Sequence, residues 1–260
     1  MKKVLVFLKA HELNAGLIDE YQKIKKAGVD VLIVFDNKDH KFPKTENQVV
    51  SFEVKGVELN FYFTDFDIYE SSNLPGYYDE KDGNNFNRFM WYNADYPLYL
   101  IYKLFPDYDY YWQIEYDVYC NGKSYKPFFS QYKSDKNDLL IVRYANAVES
   151  WWPVEKSQWW FDNKFVHKCC ILPILRISRQ ALDYLYNRRL ELGEAYKKRI
   201  EEDDVRWIFC ELFVATELGN NKKFNIAPIL NQYITDRPII NLAETRLYLK
   251  PDSKLYHPVK

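Results

Sequence analysis

The chain has 260 residues, a net charge of −1 and 28% charged residues. That length can bury a sizeable core, and so balanced a charge gives no global basic field, which argues against nucleic acid as a partner. The four cysteines carry no C-x-x-C pair and no secreted-scaffold spacing; Cys169-Cys170 in an apolar run reads as buried free thiols, in keeping with a reducing compartment.

The opening, Met1 to Lys9, mimics the start of a signal peptide, but its apolar core is short and is interrupted by Lys9, His11 and Glu12. No apolar run approaches the roughly 18 residues of a membrane span. The sequence therefore predicts a soluble, cytoplasmic protein with no transmembrane segment, with peripheral membrane contact left open. Residues Lys3–Leu8 form a continuous apolar run suited to a strand buried on both faces. A helical pattern follows over Leu13–Ala27 and stops at Gly28, and Val29–Phe35 is a second buried strand ending in Asp36-Asn37. Strand, helix and strand make a βαβ unit, hence a parallel sheet with a right-handed crossover. Ligands of such sheets sit outside the carboxyl ends of the strands, which places Lys9, His11 and Asp36 at the ligand edge. No G-x-G-x-x-G and no P-loop is present among only 8 glycines, so a glycine cradle for phosphate is not expected.

Residues 46–69 alternate as strands, and 71–87 is a polar loop with Pro75-Gly76 and Asp82-Gly83. A helix is expected over Ala94–Phe105, with Asn93 and Asp95 at its start as caps or as ligands. The aromatic run Asp107-Tyr-Asp-Tyr-Tyr-Trp-Gln-Ile then ends in Glu115-Tyr-Asp117, with a turn at Asn121-Gly122. Residues i and i+2 of a strand share a face, so Glu115 and Asp117 project together. Two like charges that close call for a cation, and hard oxygen ligands suit Mg²⁺ or Mn²⁺. Further on, a short helix is expected over Lys126–Tyr132, strands over Asp138–Arg143 and Cys170–Ile177, and helices over Arg179–Leu192 and Ile200–Leu218. The pairs Trp151-Trp152 and Trp159-Trp160 fall in a loop; their amphipathic rings suit either sugar stacking or packing. No Ser-His-Asp arrangement or nucleophile elbow is visible, which leaves carboxylates to carry the chemistry.

A core strand ending in Glu115-x-Asp117 resembles the glycosyltransferases of the GT-A fold, whose acidic motif holds a metal against the diphosphate of a nucleotide-sugar. The Glu-x-Asp form departs slightly from their Asp-x-Asp. Glu211-Leu-Phe-Val-Ala-Thr216 is similar to a Glu-x-Phe-x-x-Thr pattern of core-2-type branching enzymes and some bacterial relatives, where the glutamate is the base. The resemblance implies Glu211 as the base with Thr216 supporting it, and Asp204, seven residues earlier on the same expected helix, as its rival. It also implies His257 as a third metal ligand and Lys260 as a diphosphate contact, although residues in such a tail are as readily solvated.

The expected fold is α/β: a single GT-A-like domain, 1–260, with a mostly parallel central sheet flanked by helices. About 1–122 would bind the nucleotide-sugar and about 123–260 the acceptor. The donor contacts expected are Lys9, His11, Asp36, Asp95 and Lys260. The metal ligands are Glu115, Asp117 and His257, and the acceptor platform is Trp151 and Trp152. The activity implied is inverting transfer of a sugar to a hydroxyl of a glycan or glycolipid acceptor, in bacterial surface-glycan synthesis. Two alternatives stand beside it: a metal-dependent nuclease using Lys123 next to the acid pair, and a non-catalytic carbohydrate-binding protein using the tryptophans.

Overall fold

The computed structural model describes residues 2–37, 42, 48–74, 89–156, 160–161, 164–199, 207–230, 233–240 and 254–259. The first strand, β1 (Val4–Ala10), is followed by α1 (Ala15–Lys25) and β2 (Asp30–Asp36), the expected βαβ unit. Asn14 caps α1, its side chain accepting from the Leu17 N–H at 2.9 Å. The chain leaves the helix through Gly28 at φ +76°, a left-handed conformation that costs glycine little. Strands β3 (Val49–Val54) and β4 (Val57–Thr64) form a hairpin whose two turn residues, Lys55 and Gly56, both have positive φ. Such a turn matches the right-handed twist of the strands it joins.

An eight-stranded sheet runs in the order β3-β4-β2-β1-β5-β8-β7-β9, where β5 is Tyr110–Glu115, β7 is Leu139–Asn146, β8 is Lys168–Ser178 and β9 is Ile226–Pro228. Strands β4, β2, β1 and β5 are mutually parallel, so Thr64, Asp36, Ala10 and Glu115 end at one edge. Strand β8 runs antiparallel to both β5 and β7. Side chains alternate between the two faces, as a pleated strand requires. Leu5, Phe7, Val34 and Tyr111 pack into one core, whereas Val6, Leu8, Ile33 and Ile114 pack into the other. Burial on both faces is why these strands read as unbroken apolar runs.

The first core is closed by α3 (Phe89–Tyr92), α4 (Tyr96–Leu104), α7 (Arg179–Arg199) and α8 (Cys210–Asn220); α1 and α5 (Lys126–Gln131) close the second. Helix α2 (Phe66–Ser71) follows the hairpin, and α6 (Trp152–Lys156) takes up part of the expected tryptophan loop. A separate three-stranded sheet, β10 (Ile234–Ile240), β11 (Leu255–Val259) and β6 (Tyr119–Cys120), docks the C-terminal segment against the turn that comes after Asp117.

Two expectations about helices change. Helix α7 runs seven residues past Leu192, and the helix expected over 200–218 begins only at Cys210, with 207–209 non-helical. Among the described residues no helix is long and apolar enough to cross a membrane.

Candidate active site

The ends of the parallel strands open into a cleft of ≈ 570 Å³. Sheet register builds its floor. Lys9 of β1 stands directly beside Glu115 of β5 in the parallel ladder, so the two side chains share a face, and Lys9 Nζ meets Glu115 Oε1 at 2.6 Å. The face is that of Phe7 and Tyr111, toward α4 and α8. Asp117 comes two residues after Glu115 on the turn leaving β5, where the Val118 N–H donates back to the Glu115 carbonyl at 3.1 Å. His257 is delivered by β11, which pairs antiparallel with β6 through Leu255 beside Cys120 and Tyr256 beside Tyr119. Its Nε2 lies 3.6 Å from Asp117 Oδ1.

Helix α1 fixes this docking strand. The buried Glu20 accepts from the Cys120 N–H at 3.0 Å and from the Tyr125 hydroxyl at 2.7 Å. Lys23 donates to Glu20 at 2.7 Å and to the Cys120 carbonyl at 2.8 Å. Each buried charge therefore has its opposite and additional hydrogen bonds, the condition under which such a pair is tolerated.

One oxygen or nitrogen from each of Glu115, Asp117 and His257 can lie within 4.8 Å of the other two. Asp117 Oδ1 is buried and accepts no hydrogen bond from the described residues, an arrangement that costs free energy unless a cation completes it. Burial raises the Asp117 pKa above the ordinary carboxylate value, and the Glu115 charge adds to the rise, while His257 and Lys9 oppose it. Two hard carboxylate oxygens and an imidazole nitrogen suit Mn²⁺ or Mg²⁺. The donor set fits such an ion.

Glu211 enters the cleft from the first turn of α8. Its pKa is pushed up to about 8, by burial first and by the Glu115 charge second, against the Leu172 backbone N–H and Lys9, which lower it. A negative side chain at a helix N-terminus is ordinarily favoured by the dipole; here desolvation and the neighbouring carboxylate outweigh that preference. The helix start is held by the Cys170 thiol, which donates to the Glu211 carbonyl at 3.2 Å. Farther along, Thr216 is fully buried and joins α8 to the backbone of Lys168, its Oγ1 accepting from the N–H at 3.0 Å. Thr216 supports the helix rather than the cleft.

Seven of the residues singled out from the sequence line this cleft: Lys9, His11, Asp36, Glu115, Asp117, Glu211 and His257. Asp95 does not. It is fully buried, with Arg189 donating through Nε and Nη2 at 2.9 and 3.1 Å and the Tyr99 hydroxyl at 2.8 Å. Its carboxylate is committed to the core, so it is not a donor contact. Nor does it cap α4; Asn93, for its part, accepts from Trp207 Nε1 at 3.0 Å instead of capping. Trp151 and Trp152 stand behind the cleft wall, packed around Phe209. Lys123 is not among the residues lining the cleft; the lysine beside the acid pair is Lys9. Asp204, Lys260 and Trp159 lie outside the described residues.

Several lining residues escaped the sequence reading, and three of them bear on the chemistry. Tyr116, between the two acids, sets its ring edge-on to His11 at 4.4 Å. Arg143 holds φ +55° where the β7–β8 register breaks, a backbone state that non-glycine residues adopt at some cost and that concentrates at functional sites. Trp91 stands 54% exposed at the cleft rim; an isolated tryptophan carries no periodic signal.

No family model matches the chain, and no curated protein does. Solved structures do. The apo crystal structure of mouse xyloside xylosyltransferase 1 is similar over 98% of this chain and 97% of that one, at 10% identity and a TM-score of 0.45. A glycosyltransferase involved in glycosylation of the major capsid of PBCV-1 is similar over 97% and 91%, at 9% identity and a TM-score of 0.39. At this level of likeness the function has to come from the cleft itself.

Proposed function

We propose that the protein is a glycosyltransferase that moves a sugar from a nucleotide-diphosphate donor to a hydroxyl of a glycan or glycolipid acceptor, with inversion, in the cytoplasmic assembly of a bacterial surface glycan. One observation carries this reading. A three-donor cation site and a separate carboxyl with its pKa at about 8 share one cleft at the carboxyl ends of parallel strands. Such a carboxyl is poised to exchange a proton near neutral pH.

Glu115, Asp117 and His257 would hold Mn²⁺ or Mg²⁺, whose charge would offset that of the diphosphate. Lys9 brings further positive charge to the same place, and Lys260 is proposed to add to it. His11 and Asp36, which line the cleft at the ends of β1 and β2, would meet the nucleoside. Across the cleft, ionised Glu211 takes the proton of the acceptor hydroxyl as its oxygen bonds to the anomeric carbon. The bond from that carbon to the phosphate oxygen breaks on the opposite face, and the nucleoside diphosphate leaves with the electron pair. A single displacement of this kind inverts the anomeric centre. The proposed division assigns about 1–122 to the donor and about 123–260 to the acceptor.

Calorimetry with UDP and GDP, each with and without Mn²⁺, tests the reading. The wild-type protein is expected to bind one of them only with the metal, and Asp117→Asn to lose that binding while keeping its circular dichroism spectrum. Metal-independent affinity that survives the substitution would remove the acid pair from the site.

A further inference from the structure

Among the described residues, most tryptophans of this chain are covered. Trp112, Trp160 and Trp207 are buried, and Trp151 and Trp152 are half-buried, yet Trp91 leaves more than half of its surface to solvent. It does so at the rim of the cleft that holds Glu211. The ring is not loose. It lies 25° from the plane of Trp152 at 6.3 Å between centroids, and 4.9 Å from Phe209.

The backbone beneath it is tied to the start of α8. The Tyr92 hydroxyl donates to the Trp207 carbonyl at 2.5 Å, Trp207 Nε1 donates to Asn93, and the Cys210 thiol donates to the Trp91 carbonyl at 3.6 Å. Phe209, which supports the ring, and Cys210, which holds its backbone, immediately precede Glu211 in sequence. The exposed ring and the carboxyl therefore belong to one braced unit.

We propose that Trp91 is the acceptor platform: its exposed face takes the C–H face of a pyranose ring, and so presents a hydroxyl of that sugar to Glu211. The inference rests on the transferase reading for its use of Glu211. The occupant is set by the chemistry of the place. A pyranose offers one side of axial C–H bonds and a rim of hydroxyls, which matches a flat apolar ring beside a carboxyl. An aromatic held in position before binding loses little freedom when the sugar lands on it. One exposed ring, with its aromatic neighbours covered, is smaller than the contiguous apolar patch that a protein or lipid surface would need. Trp151 and Trp152, the pair the sequence offered for this role, become the wall that braces it.

Saturation-transfer NMR on the full chain tests the proposal, with the methyl α- and β-pyranosides of glucose, galactose, N-acetylglucosamine and xylose as probes. At least one should bind the wild-type protein, with saturation strongest on the protons of one ring face. Trp91→Ala should weaken that binding about tenfold, the usual worth of one aromatic contact, and Trp91→Phe should restore part of it. Because Trp91 is exposed, the melting temperature of Trp91→Ala should stay near that of the wild type. No binding by any probe would overturn the proposal, and so would equal binding to Trp91→Ala. The nucleotide calorimetry on the wild-type protein keeps the two readings apart. Trp91-dependent glycoside binding without nucleotide binding would sink the transferase and leave a saccharide site. Nucleotide binding without a Trp91 effect would do the reverse.

Discussion

Replacing Glu211 by glutamine should make the protein more stable and much less active, and the size of both effects can be worked out. Glutamine keeps the shape and hydrogen-bonding capacity of the side chain but cannot take up a proton at neutral pH. In the unfolded chain Glu211 ionises around its ordinary value of 4.5, whereas in the folded protein it ionises only around 8. The unfolded state therefore releases its proton first. The stability contribution is full below pH 4.5, falls as pH rises through the interval, and levels off above about 8. At about 1.4 kcal/mol per tenfold change, the ionisable group costs about 3 kcal/mol of stability at pH 7 and about 5 kcal/mol well above pH 8. Denaturant unfolding at pH 5 and pH 8 should show wild-type stability falling by more than that of Glu211→Gln, the difference approaching these figures. Turnover with donor and acceptor should meanwhile drop about 10²- to 10⁴-fold, the range for loss of a general base, and nucleotide-diphosphate affinity should hardly move. Wild-type activity should rise with pH as Glu211 ionises, and the variant should lack that limb. A variant with normal turnover and the wild-type pH dependence of stability would refute both the burial argument and the assignment of the base.

Removing the charge of Lys9 with Lys9→Met deprives Glu115 of its 2.6 Å partner and Glu211 of a group that lowers its pKa. The acidic limb of the rate profile should shift to higher pH, with activity at pH 7 falling more than activity at pH 9; an unshifted profile would place Lys9 outside the electrostatics of the base. Asp95→Asn leaves a buried guanidinium without its carboxylate. It should cost about 3–5 kcal/mol of stability in urea unfolding, without changing nucleotide-diphosphate affinity under conditions where the protein is folded. A selective loss of nucleotide binding at unchanged stability would return Asp95 to the donor site.

Much of the first 122 residues was legible because its signals are local. The apolar runs of β1 and β2, the cap-to-glycine span of α1 and the abrupt acidic end of β5 each reflect the pleat or the helical period of a few neighbouring residues. The i, i+2 spacing of Glu115 and Asp117 already put both on one face. The sense of the sheet came from the βαβ opening, and with it the edge where Lys9, His11 and Asp36 meet the cleft.

Features outside local pattern were decided by pairing across the chain. Asp36 and Asp95 look alike in sequence, each an acid beside an asparagine or alanine at the border of an element. Only Arg189, arriving from α7, makes Asp95 a core residue. Lys9 joins Glu115 because parallel register sets them side by side, a relation no spacing within either strand contains. His257 reaches Asp117 because β11 adds to β6, and that docking depends in turn on the buried Glu20–Lys23 pair of α1. The raised pKa of Glu211 is likewise a property of its surroundings, since burial and the charge of Glu115 come from segments remote in sequence. Sequence by itself determined the opening βαβ unit, the β5 strand and the carboxylates at the strand ends, because backbone sterics and side-chain period act between near neighbours. The tertiary structure alone decided which of those charges share a cleft, because desolvation and Coulomb energy depend on distance through space and on what excludes water.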